Sequence, residues 1–91
     1  QSTLLQNVPN PFNPATLIPY QLGTGGLVTI TVYSTLGQQI RTLVDGILEI
    51  GRYEVTWDGR DRYGQEVASG VYLFRFQAPK VVQVRKAMLL R

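Results

Sequence analysis

Apolar residues in this chain recur at every second position in short runs, and no window of eleven or more residues repeats them at a helical spacing. That pattern excludes a helical bundle. It also excludes a parallel α/β sheet, because connections this short cannot carry crossover helices. The run 27–33, LVTITVY, sets Val28, Ile30 and Val32 on one face and Thr29, Thr31 and Tyr33 on the other. A tight turn at 34–37 and the run 38–44 answer it, so 27–44 reads as a β-hairpin. Residues 16–22 alternate Ile18, Tyr20 and Leu22 against Leu17, Pro19 and Gln21. Pro19 has no N–H for a ladder, which puts this run at a sheet edge. Residues 52–57 turn Tyr53, Val55 and Trp57 inward, and 71–78 place Tyr72, Phe74 and Phe76 on one face. Residues 45–51 read as a connection, and 58–70 as the longest irregular segment, with a short strand around 65–68. The run 81–91 closes the chain. Val82, Val84, Met88 and Leu90 read as its apolar face, and Lys86 on the same parity calls for a bulge or a place at the rim.

Six or seven short strands at about 8–12-residue spacing predict a sandwich or small barrel. At 91 residues the chain holds one domain and one modest core. The expectation is an all-β, immunoglobulin-like (fibronectin type III-like) antiparallel β-sandwich of about seven strands over residues 16–91. Residues 1–15 carry Pro9, Pro11 and Pro14 and read as an extended Pro/Asn-rich lead-in or arm. Its Leu4, Leu5, Val8 and Phe12 are available to dock on a core edge or to serve as an assembly arm.

Composition narrows the chemistry. The chain has no His and no Cys, so the commonest general base, the thiol nucleophile and the usual zinc, haem and iron–sulfur ligand sets are missing. Ser2, Ser34 and Ser69 have no imidazole to activate them. No enzyme activity and no cofactor are expected. Asp58, Asp61 and Glu66 fall in one irregular stretch and form a calcium candidate, since hard oxygen donors suit that ion. They do not follow the twelve-residue calcium loop, and Asp-Gly turns and Asp caps account for the same residues. Gly59, Gly64 and Gly70 read as turn glycines rather than a phosphate cradle. Trp57, the single tryptophan, belongs in the core, and Tyr33 and Tyr63 are the tyrosines open to a sugar.

Seven Arg and two Lys give a net charge of +3, with a local excess at Lys80, Arg85, Lys86 and Arg91. This fits a solvated strand face, or contact with an acidic cell-surface polysaccharide or an anionic lipid headgroup, and no nucleic-acid partner is expected because no such module's pattern is present. No apolar run approaches the roughly 20 residues of a membrane-spanning helix. The chain opens at Gln1 without a signal peptide and reads as a processed or excised segment.

Four blocks occur in order: Pro9-Asn10-Pro11-Phe12-Asn13-Pro14, Trp57-Asp58-Gly59-Arg60-Asp61, Val67-Ala68-Ser69-Gly70-Val71-Tyr72 and Lys86-Ala87-Met88-Leu89-Leu90-Arg91. With them the chain resembles, along nearly its whole length, the C-terminal immunoglobulin-like domains appended to secreted bacterial proteins. These are described as FlgD-type immunoglobulin-like domains or as type A sorting domains of the type IX secretion system. The resemblance implies a seven-stranded sandwich without catalysis, located outside the cell or at the bacterial cell surface. In the sorting version the domain rides behind a cargo and is read by an outer-membrane translocon. It is often cleaved, and the cargo is anchored, so its partners are the secretion and anchoring machinery. Recognition is associated with the terminal strand, here Val84, Lys86, Met88, Leu89, Leu90 and Arg91. In the hook-capping version a similar domain is a structural unit of a scaffold. Two other readings stand beside it. One is a structural subunit of a filament or appendage that joins copies of itself through edge strands or N-terminal strand addition. The other is a carbohydrate-binding accessory module.

Overall fold

The alternation resolves into seven strands and no helix in the computed structural model, which describes residues 1–91. They are β1 Thr3–Leu4, β2 Thr16–Leu22, β3 Gly26–Ser34, β4 Gln39–Leu48, β5 Gly51–Trp57, β6 Gly70–Ala78 and β7 Val81–Leu89. All pairings are antiparallel, in a three-stranded sheet ordered β1-β2-β5 and a four-stranded sheet ordered β4-β3-β6-β7. The two sheets face each other as an immunoglobulin-like sandwich.

The core follows from the parity of the strands. Ile18, Tyr20 and Leu22 of β2 and Trp57 of β5 meet Val28, Ile30 and Val32 of β3 and Tyr72, Phe74 and Phe76 of β6. Trp57 is fully buried and lies 5.2 Å from Tyr72, 5.7 Å from Phe12 and 5.8 Å from Phe74, centroid to centroid. The tilted and edge-on rings suit aromatic quadrupoles. Its indole Nε1 donates to the Arg60 carbonyl at 2.9 Å, so the buried polar atom is satisfied.

Three expectations are corrected. The inward face of β7 is not Val82, Val84, Met88 and Leu90, which are exposed; Ala87 and Leu89 are the buried residues. The reason is the two-residue turn Pro79-Lys80. It sets Ala78 opposite Val81, so the inward even positions of β6 face odd positions of β7. The β6–β7 register runs unbroken from Gly70↔Leu89 to Ala78↔Val81, so there is no bulge, and Lys86 lies in solvent on the outer face. Second, β2 is not an edge strand. Pro19 turns its polar groups toward β1, where its carbonyl accepts from the Leu5 N–H at 3.0 Å, and the missing N–H interrupts no ladder with β5. Third, residues 45–48 continue β4, with Asp45 opposite Thr29 and Gly46 opposite Val28.

Residues 1–15 lie along one side of the sandwich. Thr3 and Leu4 pair with Gln21 and Tyr20, and Val8 exchanges both backbone hydrogen bonds with Leu17. Leu4 and Phe12 are buried in the core, whereas Leu5 and Val8 are exposed. Asn7 Nδ2 donates to Thr16 Oγ1 at 2.9 Å and to the Pro9 carbonyl at 3.1 Å, pinning the bend between them.

Candidate functional site

The residues of the closing strand divide by face. Val84, Lys86, Met88 and Leu90 are exposed, and Leu89 points into the core. Opposite them on the outer face stand Val71, Leu73 and Arg75 of β6. The face is therefore apolar with two cations, and neither β6 nor β7 contains a carboxylate.

The free edge of β7 is partly closed by the N-terminal segment. The Phe12 N–H donates to the Met88 carbonyl at 2.9 Å, and the Leu90 N–H donates to the Phe12 carbonyl at 2.9 Å. The Met88 N–H donates to Asn10 Oδ1 at 2.9 Å, and Gln6 Nε2 donates to the Lys86 carbonyl at 3.1 Å. Nearer the start of β7, Gln83 Oε1 accepts the Leu4 N–H, and Arg85 Nε donates to the Leu4 carbonyl at 3.1 Å. The first and last segments of the chain thus stitch the two sheets together. Gln6, Asn10 and Gln83 escaped the sequence reading; only Asn10 carried a signal, its place between two prolines.

Arg91 holds the other side of the strand end. Its guanidinium donates to the carbonyls of Gly59 and Val67 and pairs with Glu66 at 3.3 Å. Its N–H donates to Ser69 Oγ at 2.9 Å. Gly59 has φ +75°, and a Cβ there would meet Arg91 Nη2 at 2.8 Å and the Pro14 carbonyl at 2.9 Å. Only glycine satisfies both the left-handed backbone and that close approach. Tyr72 donates its hydroxyl to the Ala68 carbonyl at 2.7 Å. Burial pushes the Tyr72 phenol pKa up, and the Arg91 charge pulls it partly back. All four sequence blocks therefore converge around Trp57 at one end of the sandwich.

Asp58, Asp61 and Glu66 have separate duties. Asp58 Oδ1 accepts from the Arg60 N–H and pairs with Arg41, each at 3.1 Å. Asp61 Oδ1 accepts the N–H groups of Tyr63 and Gln65 at 2.9 and 3.0 Å. Glu66 lies 3.9 Å from Arg60 as well as beside Arg91. No group of three or more His, Cys, Asp or Glu converges on a common point. The short strand expected around 65–68 is a single bridge between Arg60 and Glu66. Tyr63 is 79% exposed beside an open groove of about 390 Å³, with the Arg62 guanidinium carbon 6.0 Å from its ring centroid. Tyr33 is half-buried on the four-stranded sheet, and no second ring stacks with Tyr63.

The fold is shared with two proteins of Porphyromonas gingivalis. Dimeric latent PorU superimposes with a TM-score of 0.73 at 17% identity, over 99% of this chain and 9% of PorU. PorZ, a bacterial surface component of the type IX secretion system, superimposes with a TM-score of 0.66 at 24% identity, over 94% of this chain and 11% of PorZ. The chain thus spans about a tenth of the length of either protein. A search of curated protein sequences found no match. Residues 15–80 match the family described as the FlgD Ig-like domain, a span that holds most of the sandwich and two of the four blocks, Trp57–Asp61 and Val67–Tyr72, and the chain belongs to that family.

Proposed function

We propose that this domain is a non-catalytic module of a secreted or cell-surface bacterial protein, acting as its sorting and anchoring domain through contacts between β7 and partner proteins. The observation that carries the reading is the convergence of the four sequence blocks on the end of β7. That arrangement buries Leu89 and presents Val84, Lys86, Met88 and Leu90 outward. A rigid strand with an apolar, cationic outer face suits recognition by protein. The likeness to domains of PorU and PorZ adds the type IX context.

The test is a reporter fused ahead of residues 1–91 in a type IX-competent host. Export to the cell surface is the expected outcome, and retention in the periplasm overturns the reading. Self-assembly by arm donation asks Leu4 and Phe12 to leave a core they already fill. Sedimentation over a wide concentration range distinguishes the two: a monomer fits the sorting module, and regular polymers fit the structural subunit.

A further inference from the structure

A sandwich has four sheet edges, here β1, β5, β4 and β7. Edges invite strand addition, and most are blunted. β1 is two residues long. The outward groups of β5 belong to Arg52, Glu54 and Thr56, because the partners of these residues, Gln21, Pro19 and Leu17, face β1 and the N-terminal segment. β4 is bulged twice, and Arg62 covers its start by donating to the Ile40 and Gln39 carbonyls. β7 is closed from 86 to 90 by Gln6, Asn10 and Phe12.

Over the remaining length of β7, Gln83 and Arg85 hold Leu4 through their side chains, and the outward backbone groups stay open. Met88 directs its N–H and C=O away from β6, so alternation directs those of Val82 and Val84 the same way, together with the Lys86 N–H. No protein group bonds to them. The stretch is unbulged, and Val82 and Val84 are 56% and 54% exposed. Around it stand Arg75 opposite Val84, Lys86 and Lys80, with no carboxylate on either strand.

We propose that the β7 edge from Val82 to Lys86 is a strand-docking site for an extended, acidic segment of a partner protein. The segment adds by backbone pairing, continuing a mode that Phe12 already uses farther along the same edge. Its carboxylates lie on the outer face beside Lys86, with Arg75 one strand beyond, and its alternate apolar side chains point to the opposite face, on the side of Gln83 and Arg85. The proposal rests on the export reading for its context and names the partner chemistry of that strand.

The probe is a ten-residue alternating Val-Glu peptide titrated into the 91-residue chain, with a Val-Lys peptide as control, read by amide hydrogen exchange. The expected result is slowed exchange at Val82, Val84 and Lys86, about tenfold or more at saturation, with the acidic peptide only. Lys86→Glu is expected to weaken binding about fivefold without changing Trp57 emission. Val84→Pro is expected to abolish it; the N–H it removes faces outward, so the β6 ladder survives. Unchanged exchange at these amides, equal protection by the Val-Lys peptide, or peptide-free protection that rises with protein concentration overturns the proposal. Reporter export without peptide protection overturns the docking site alone. Peptide protection with periplasmic retention overturns the export reading alone.

Discussion

The two ends of the sandwich are built differently. At one end the connections are residues 23–25, 49–50 and 79–80, all short; the last joins neighbouring strands of one sheet and the other two cross between the sheets. At the other, residues 58–69, the bend carrying Phe12 and the residues after β7 interlock around Trp57. The first end is held largely by local backbone geometry, as at Lys80 with φ 63°, with one longer-range bond from the Gly23 N–H to Ser2 Oγ at 3.1 Å. The second is held by contacts between segments far apart in sequence, such as Met88 with Asn10 across 78 positions. The blocks that mark the family lie at the second end, where side chains rather than turn length fix the structure.

The comparison breaks most visibly at Trp57. Trp57→Ala removes the ring that Phe12, Tyr72 and Phe74 surround, and is expected to cost about 4–5 kcal/mol in urea denaturation, enough to unfold a marginal domain. Phe12→Ala is expected to cost about 3 kcal/mol; a loss below about 1 kcal/mol would make the N-terminal bend an accessory of the core instead of a part of it. Arg91→Ala removes charged hydrogen bonds to two carbonyls and is expected to cost about 1–2 kcal/mol. At the other end Lys80→Gly relieves a left-handed residue and is expected to gain about 0.5 kcal/mol, net of the added freedom of the unfolded chain.

The smallest effect at neutral pH is a titration. Burial, then the neighbouring Tyr53, raises the Tyr20 pKa above its ordinary 10.0, and burial raises that of Tyr72. A raised folded value means that the stabilisation is complete below the unfolded pKa and is lost as pH rises through the folded one. The denaturation midpoint is therefore expected to keep this contribution to about pH 10 and to lose it above. Arg91→Ala should raise the Tyr72 value further, read by phenolate absorbance.

Legibility in the sequence follows the same division. Val28, Ile30 and Val32, and likewise Tyr72, Phe74 and Phe76, declare their faces through a period of two, and all are buried. β7 carries valines on both parities, so its period is silent. Its face is fixed by the pairing of Ala78 with Val81 across the turn. Pro19 and Asp45-Gly46 misled for a related reason. Each is a local signal whose meaning depends on the strand beside it, β1 for the one and β3 for the other. The grip of Arg91 on Gly59 and Val67 spans 32 and 24 positions and has no local signature.

The bonds between Phe12 and residues 88–90 also order events in time. During synthesis the early residues leave the ribosome first, yet Phe12 meets its backbone partners only once residues 88–90 are out. Loop closure over most of the chain makes that step slow compared with forming the β3–β4 hairpin. A chain interrupted before β7 leaves Phe12 without the backbone partners that residues 88–90 supply.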